Sequence, residues 1–178
     1  MYGQIQILPY FSEKIYLVVV NMFCNLKRIR ESYDLTQREM AKLLNISKSS
    51  YNYFETGEQI IPLKHLNNFC NTFHVSMDYV CGLTKINTKV NKKYRLNKVT
   101  IGLNLKKIRL KNKLTQKELA KILNTTQSNI SAYENGKTLI LTAFIFSFAR
   151  HFKVSLDYLT NRSDSINIQK KLSPIKKK

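Results

Sequence analysis

The sequence predicts an all-α protein made of two tandem copies of one small five-helix domain. The first observation is an internal repeat: residues 25–83 (copy 1) and residues 104–162 (copy 2) align without a gap at an offset of 79, and about 23 of the 59 aligned positions are identical. The second is the spacing of the apolar residues, which matches one face of a helix. The third is the recurrence of helix start and stop signals at matched positions.

The first two helices of each copy are indicated by apolar spacing and by a start signal. Leu26 and Ile29 form the apolar face of the first helix. Thr36 begins the second helix, because Thr-Gln-Arg-Glu fits a capping box in which the Thr hydroxyl accepts from a first-turn amide and the Glu reaches back to the Thr amide. Copy 2 repeats this signal from Thr115. The second helix is predicted to end at Asn45, a residue type that tolerates the left-handed conformation of a tight turn.

The third helix follows a turn of two or three residues. Ser47 or Thr126 caps it, and its apolar face in copy 1 is formed by Tyr51 and Phe54, spaced i, i+3. A glycine, Gly57, supplies the positive φ at its C-terminal end. The matching residues of copy 2 are Ile130, Tyr133 and Gly136. Two further helices complete each copy, and the last carries the string Val-Ser-x-Asp-Tyr.

The repeat divides the chain into four segments. We place domain 1 at residues 22–84, a basic linker at 85–102, domain 2 at 103–162 and a basic tail at 163–178. The Lys-rich end of the tail is expected to be disordered. Residues 1–21 match nothing in the repeat, and Met22 directly precedes the first domain helix, so a start of translation at Met22 stays open.

Two short helices joined by a tight turn form a helix-turn-helix, a module whose second helix enters the major groove of DNA. The strings shared by both copies are, in order, Leu-Lys-x-Ile-Arg, Leu-Thr-Gln-x-Glu-x-Ala, x-Tyr/Phe-Glu-x-Gly and Val-Ser-x-Asp-Tyr. In this order, at this spacing and twice over, they resemble the Xre or Cro-like phage repressor helix-turn-helix family over about 118 of the 178 residues.

The resemblance implies that exposed residues near the start of the third helix, the recognition helix, reach base edges of DNA. These residues are Gln127, Ser128, Asn129 and Ala132 in copy 2, and Lys48, Ser49, Ser50 and Tyr53 in copy 1. The amides of Gln127 and Asn129 suit adenine N6 and N7, which indicates A·T readout. The alternative for each polar residue is an ordinary solvated position, and it carries more weight in copy 1 than in copy 2.

The resemblance also assigns supporting roles. Gln37 and Gln116, at the start of the second helix, are expected to meet a phosphate and to brace the recognition helix. Asn135 and Lys137 follow the recognition helix, where a contact with the DNA backbone is plausible.

Two charged pairs recur at positions where the family has an Arg and a Glu bonded beneath the recognition helix. They are Arg30 with Glu55 and Arg109 with Glu134. We interpret both pairs as structural, because removal of one partner of a buried pair strands the other at a cost of about 3 to 5 kcal/mol.

The net charge of +19 is unevenly distributed. Copy 1 holds seven Lys or Arg against six Asp or Glu, a net +1, whereas copy 2 holds eleven against three, a net +8. Phosphate neutralisation supplies most non-specific DNA affinity, so copy 2 with the basic linker and tail is predicted to dominate binding. The alternative is that a Lys-rich chain reflects genome composition, which fits the linker and tail better than the contrast between the copies.

Several classes of function are disfavoured. The three cysteines, Cys24, Cys70 and Cys81, show no C-x-x-C spacing and form no ligand pattern with the histidines, so we expect no metal, no cofactor and a reduced cytoplasmic setting. No nucleophile, base and orienter occur at a plausible spacing, which disfavours an enzyme. No segment approaches the roughly 18 apolar residues of a membrane span, and a signal peptide is not indicated.

Two departures from the family pattern suggest protein contacts. Tyr51, Tyr53 and Phe54 make the recognition helix of copy 1 bulky and aromatic, which favours a partner-binding or dimerising role for that copy. In the fourth helix of copy 2, Leu141 and Phe144 are apolar at positions that are usually polar in the family, which indicates a homodimer contact. The alternative for this pair is extra core packing.

Together these patterns predict a sequence-specific regulator of transcription, most simply a repressor, that binds double-stranded DNA as a homodimer and reads it mainly with copy 2. The alternative is an antitoxin-like or scaffold protein in which copy 1 binds a protein partner and DNA binding is secondary.

Overall fold

The computed structural model describes residues 25–168, which form ten helices and no strand. The predicted all-α class, with five helices in each copy, is confirmed. The helices of copy 1 are α1 (Leu26–Glu31), α2 (Gln37–Leu44), α3 (Lys48–Thr56), α4 (Leu63–Phe73) and α5 (Met77–Val80). Those of copy 2 are α6 (Lys98–Lys111), α7 (Gln116–Ile122), α8 (Gln127–Glu134), α9 (Thr142–Phe152) and α10 (Leu156–Leu159). Residues 1–21, Met22 and the Lys-rich end of the tail lie outside the described residues.

The helix ends follow the signals read from the sequence. Both capping boxes are present: the side chains of Thr36 and Thr115 each accept from the amide three residues on, and the Glu side chain accepts from the Thr amide. Asn45 closes α2 in the left-handed region, with φ of 55°. Gly57 closes α3 with φ of 78°. In copy 2, α8 ends at Asn135, and the positive φ of 63° falls on the next residue, Gly136.

The first helix of copy 2 begins earlier than the predicted domain boundary. Asn97 caps α6 by accepting from the amides of Val99 and Thr100, so residues 98–102, which we assigned to the linker, are helical. The repeat could not indicate this turn of helix, because its alignment begins at residue 104. Gly102 lies in this helical segment and not in a linker. A glycine is required there because α6 passes close to the end of α8, and an added Cβ would lie 2.7 Å from the Glu134 carbonyl oxygen.

The apolar positions that predicted the helices form the core. Leu26, Met40, Tyr51, Leu105 and Leu119 are each at most 3% exposed. The buried residues of both copies belong to a single hydrophobic cluster, so the copies are packed together. Within residues 25–168, no helix is long and apolar enough to cross a membrane.

The last helices of the two copies cap each other. The carboxylate of Asp157, in α10, accepts from the backbone amides of Met77 and Asp78 at the start of α5, both at 3.0 Å. In return, the carboxylate of Asp78 accepts from the amide of Leu156 at the start of α10, at 2.7 Å. Burial, and then the nearby Asp157 carboxylate, raise the pKa of Asp78 to about 7.

Arg162, at the end of copy 2, extends the contact into copy 1. Its Nη1 donates to the side-chain oxygens of Asn67 and Asn71, both at 2.8 Å, and its Nε donates to Asp157 at 3.2 Å. The same guanidinium lies over the ring of Tyr94, 5.0 Å from its centroid. The Arg162 side chain is fully buried, so these contacts compensate the cost of desolvating its charge.

The linker and the start of the tail are also held in place. The carbonyl of Tyr94 accepts from Asn67 and Asn71 on α4, and the amide of Val90 donates to the His74 carbonyl. In the tail, the Ile166 carbonyl accepts from the amide of Ser155 at 2.8 Å. Val90 and Tyr94 of the linker are therefore bonded to copy 1, and Ile166 of the tail is bonded to copy 2.

Candidate DNA-binding surface

A shallow depression on copy 2 brings together most of the side chains predicted to bind DNA in that copy. Its lining residues are Gln116, Gln127, Ser128, Ser131, Ala132 and Lys137. Of these, Ser131 was not predicted from the sequence, although it lies one turn beyond Gln127 and Ser128 on the same face of α8. The depression combines amide and hydroxyl groups with one lysine, the donor and acceptor types that suit base edges and phosphates.

Two predicted DNA contacts lie outside the lining of this depression and are engaged in local hydrogen bonds. Asn129 donates from its amide to the hydroxyl of Thr125 at 3.0 Å. Asn135 donates to the hydroxyl of Ser131 at 3.2 Å. Both asparagines are exposed, so DNA can replace these bonds.

The start of α8 is fixed by its cap. The side chain of Thr126 accepts from the amide of Asn129, and Gln127 and Ser128, which follow the cap, are both exposed. The buried side chains of α8, Ile130 and Tyr133, fix the rotation of the helix about its axis. The exposed polar face of α8 is therefore determined by its apolar face.

A buried ion pair anchors the far end of each recognition helix. Arg109 donates from Nε and Nη2 to the two carboxylate oxygens of Glu134, at 2.6 and 2.9 Å, and from Nη1 to the Leu114 carbonyl at 2.6 Å. The Glu134 side chain is 1% exposed. The hydrogen bond to Glu134 raises the pKa of Arg109 above its ordinary value. Copy 1 has the same bidentate pair between Arg30 and Glu55, at 2.8 and 2.9 Å.

A glutamine joins each pair to the start of the second helix. Gln116 donates to Glu134 at 3.0 Å, and Gln37 donates to Glu55 at 3.1 Å. These bonds hold α7 against α8 and α2 against α3. A contact between either glutamine and a phosphate stays a prediction.

The recognition helix of copy 1 presents a different surface. Lys48 and Ser49 are exposed, Ser50 is half-buried, and Tyr53 is 38% exposed. Of the three aromatic residues expected to make α3 bulky, only Tyr53 reaches the surface, since Tyr51 and Phe54 are buried.

The charge after the recognition helix also differs between the copies. Glu58 occupies the position of Lys137 and bonds to the hydroxyl of Thr56 at 3.1 Å. An acid at this position repels phosphate, so copy 1 is less suited than copy 2 to contact the DNA backbone there.

A homodimer contact through Leu141 and Phe144 stays a prediction. Phe144 is 9% exposed and packs with Tyr133, their ring centroids 6.2 Å apart, which favours the alternative of extra core packing. The start of α9 lies against copy 1, where the Thr142 hydroxyl donates to the Ile61 carbonyl at 2.7 Å. Of the proposed pair, Leu141 alone is at the surface, 57% exposed.

Comparison with known proteins agrees with the repeat. The helix-turn-helix family model HTH_3 matches residues 26–80 and again residues 105–159. Over 64 residues the chain is 36% identical to the uncharacterized HTH-type transcriptional regulator YobD of Bacillus subtilis, covering 35% of this chain and 57% of YobD. Over 62 residues it is 32% identical to the antitoxin PezA of Streptococcus pneumoniae, covering 35% of this chain and 39% of PezA.

Among solved structures, the clp gene regulator ClgR from Corynebacterium glutamicum superposes with a TM-score of 0.35 at 19% identity, over 38% of this chain and 72% of that one. The chain spans about half the length of the curated relatives it matches. The two matches to the family model together cover more than half of the chain, and the resemblance to Xre/Cro-like repressors is confirmed. The chain belongs to the helix-turn-helix family and carries the family's domain twice in tandem.

Proposed function

We propose that the chain is a sequence-specific DNA-binding regulator of transcription, acting as a repressor, and that copy 2 is its main reader. The observation that carries the proposal is the depression on copy 2, in which Gln116, Gln127 and Lys137 line the exposed face of α8. The similarity to a protein described as an HTH-type transcriptional regulator supports it.

In the proposed complex α8 lies in the major groove. The amide of Gln127 donates to and accepts from an adenine, and Asn129 leaves its bond to Thr125 to do the same. Lys137 contacts a phosphate beside the groove. The net charge of +8 on copy 2, against +1 on copy 1, makes copy 2 the stronger electrostatic partner of DNA.

Selection of bound duplexes from a random pool, followed by fluorescence anisotropy, tests the proposal. We expect Gln127→Ala and Asn129→Ala to weaken binding to the selected site by about 1 to 3 kcal/mol, with little change on random DNA. Asn68→Ala removes an exposed amide from α4 and is the matched control, with no expected effect on either duplex. Equal losses on both duplexes would exclude base contacts for the two residues, and the absence of a selected sequence would exclude the function.

A second candidate is an antitoxin-like role in which copy 1 binds a protein. Two observations favour it: the similarity to PezA, and the exposure of Tyr33, Leu43 and Tyr53 on copy 1, at 55%, 53% and 38%. Leu43→Glu would then abolish binding of the partner and leave DNA affinity unchanged. A loss of DNA affinity in Leu43→Glu, with the fold intact by circular dichroism, would count against this role.

A further inference from the structure

The two aspartate caps between the copies are reciprocal. Asp157 of copy 2 caps α5 of copy 1, and Asp78, its equivalent at an offset of 79, caps α10 of copy 2. In an isologous dimer, residue i of one subunit contacts j of the other while j contacts i. The two caps therefore have the arrangement of a contact across the axis of a two-fold dimer.

The groups that bond across this interface are buried. Asp78 and Asp157 are each 5% exposed, and Arg162, which bonds to Asp157 and to two asparagines of copy 1, is 3% exposed. Buried charges at this depth are tolerated only when they are paired and hydrogen-bonded, which fixes the geometry of the groups that bond to them. Tyr94 of the linker also takes part in this interface, since its carbonyl accepts from α4 and its ring lies under Arg162. The copies therefore form one body.

One contact between the copies is connected to the C-terminal ends of both recognition helices by short segments of chain. Ile61, which accepts from Thr142, is four residues beyond the end of α3 at Gly57, and Thr142 is seven residues beyond the end of α8 at Asn135. A chain extends by at most about 3.6 Å per residue, so the two helix ends lie within about 45 Å of each other. Half-sites one helical turn apart, at about 34 to 36 Å, fall inside this limit.

We infer that a single chain spans two successive half-sites of one operator, with α8 in one major groove and α3 in the next, and that this operator is not a palindrome. The inference rests on the proposed function. The half-sites must differ because Lys48, Ser49 and Ser50 stand where copy 2 has Gln127, Ser128 and Asn129. The half-site bound by copy 1 is the weaker one, since its net charge is +1 and it carries Glu58 in place of Lys137.

The spacing of the half-sites provides a test that leaves the protein unchanged. Insertion of about 5 bp between the two halves of the selected duplex turns them to opposite faces of the DNA. We expect affinity for this duplex to fall to that of the copy 2 half-site alone. Insertion within the outer flank is the matched control and should have no effect. Unchanged affinity after the central insertion would overturn the inference while leaving sequence-specific binding intact.

Stoichiometry and footprint complete the test. Sedimentation of the full chain with the selected duplex should give one chain per duplex, and hydroxyl-radical footprinting should show two protected segments one turn apart. Two chains per duplex, or a single protected segment, would refute the inference. Failure to select any sequence would refute the proposed function instead, so the two outcomes are distinguishable.

A pair of variants distinguishes the contribution of each copy to DNA affinity. Lys48→Ala with Tyr53→Ala should reduce affinity for the full operator several-fold and leave affinity for the copy 2 half-site unchanged. Gln127→Ala should reduce both. If the Lys48 and Tyr53 variant binds the full operator as tightly as the unaltered chain does, α3 is not in contact with DNA.

Discussion

Replacement of Arg109 by alanine should destabilise copy 2 severely. The substitution removes three hydrogen bonds, two to Glu134 and one to the Leu114 carbonyl. It leaves the Glu134 carboxylate, with a side chain 1% exposed, bonded to Gln116 but without its cation. Breaking a buried pair in this way costs about 3 to 5 kcal/mol. Since small domains are stable by about 5 to 15 kcal/mol, much of the fold's margin would be lost.

The assay is urea unfolding followed by far-UV circular dichroism, with Lys106→Ala on the exposed face of the same helix as the control. We expect Lys106→Ala to change the free energy of unfolding by at most about 0.5 kcal/mol. The double variant Arg109→Met with Glu134→Leu should recover most of the loss, because apolar residues of similar volume remove the stranded charge. A loss below about 1 kcal/mol in Arg109→Ala would refute the reasoning.

Three further predictions concern binding, packing and pH. Lys137→Ala should weaken binding to all DNA sequences about equally and reduce the slope of log affinity against log salt by about 1, as measured by anisotropy at several salt concentrations. In an open helix, a change from Gly to Ala would raise the free energy of unfolding by about 0.5 to 1 kcal/mol. Gly102→Ala should instead lower the urea midpoint, because the new Cβ meets the backbone of Glu134. A higher midpoint would contradict the close packing. The folded-state pKa of Asp78, about 7, lies above its ordinary value of 3.8, so the folded chain holds this proton more tightly than the unfolded chain does. The stability that the bound proton supplies is therefore complete below about pH 4 and should be lost as the pH rises from about 4 to 7. Asp78→Asn keeps the acceptor for Leu156 and should remove this loss from the pH profile of the urea midpoint, while an unaltered profile would exclude Asp78 as its source.

Local features of the fold could be predicted from the sequence because neighbours along the chain determine them. A Thr and the Glu three residues later form a capping box without help from the rest of the protein, and both predicted boxes are present. The ion pair between Arg109 and Glu134 was predicted from the family resemblance, because these residues are 25 positions apart and local patterns do not relate them.

Contacts between the copies could not be predicted in this way. The aspartates of the two Val-Ser-x-Asp-Tyr strings were visible as a repeat, but nothing in the spacing indicates that each one caps the other copy's helix. The same holds for the start of α9, where Thr142 bonds to Ile61, 81 residues earlier. Gly102 was assigned to the linker because the close approach of the α8 backbone, which requires a glycine there, cannot be recognised from the neighbouring residues of α6.

On the proposed two-part operator, both copies reach the DNA together, because one chain carries them and the reciprocal caps of Asp78 and Asp157 fix them to each other. A repressor assembled from separate subunits fills its operator with the square of its concentration when the free subunits are dilute, whereas a fused pair fills it in simple proportion. Under the same proposal, a mutation of Gln127 alters the bases preferred by copy 2 alone, and a mutation of Lys48 alters those preferred by copy 1 alone.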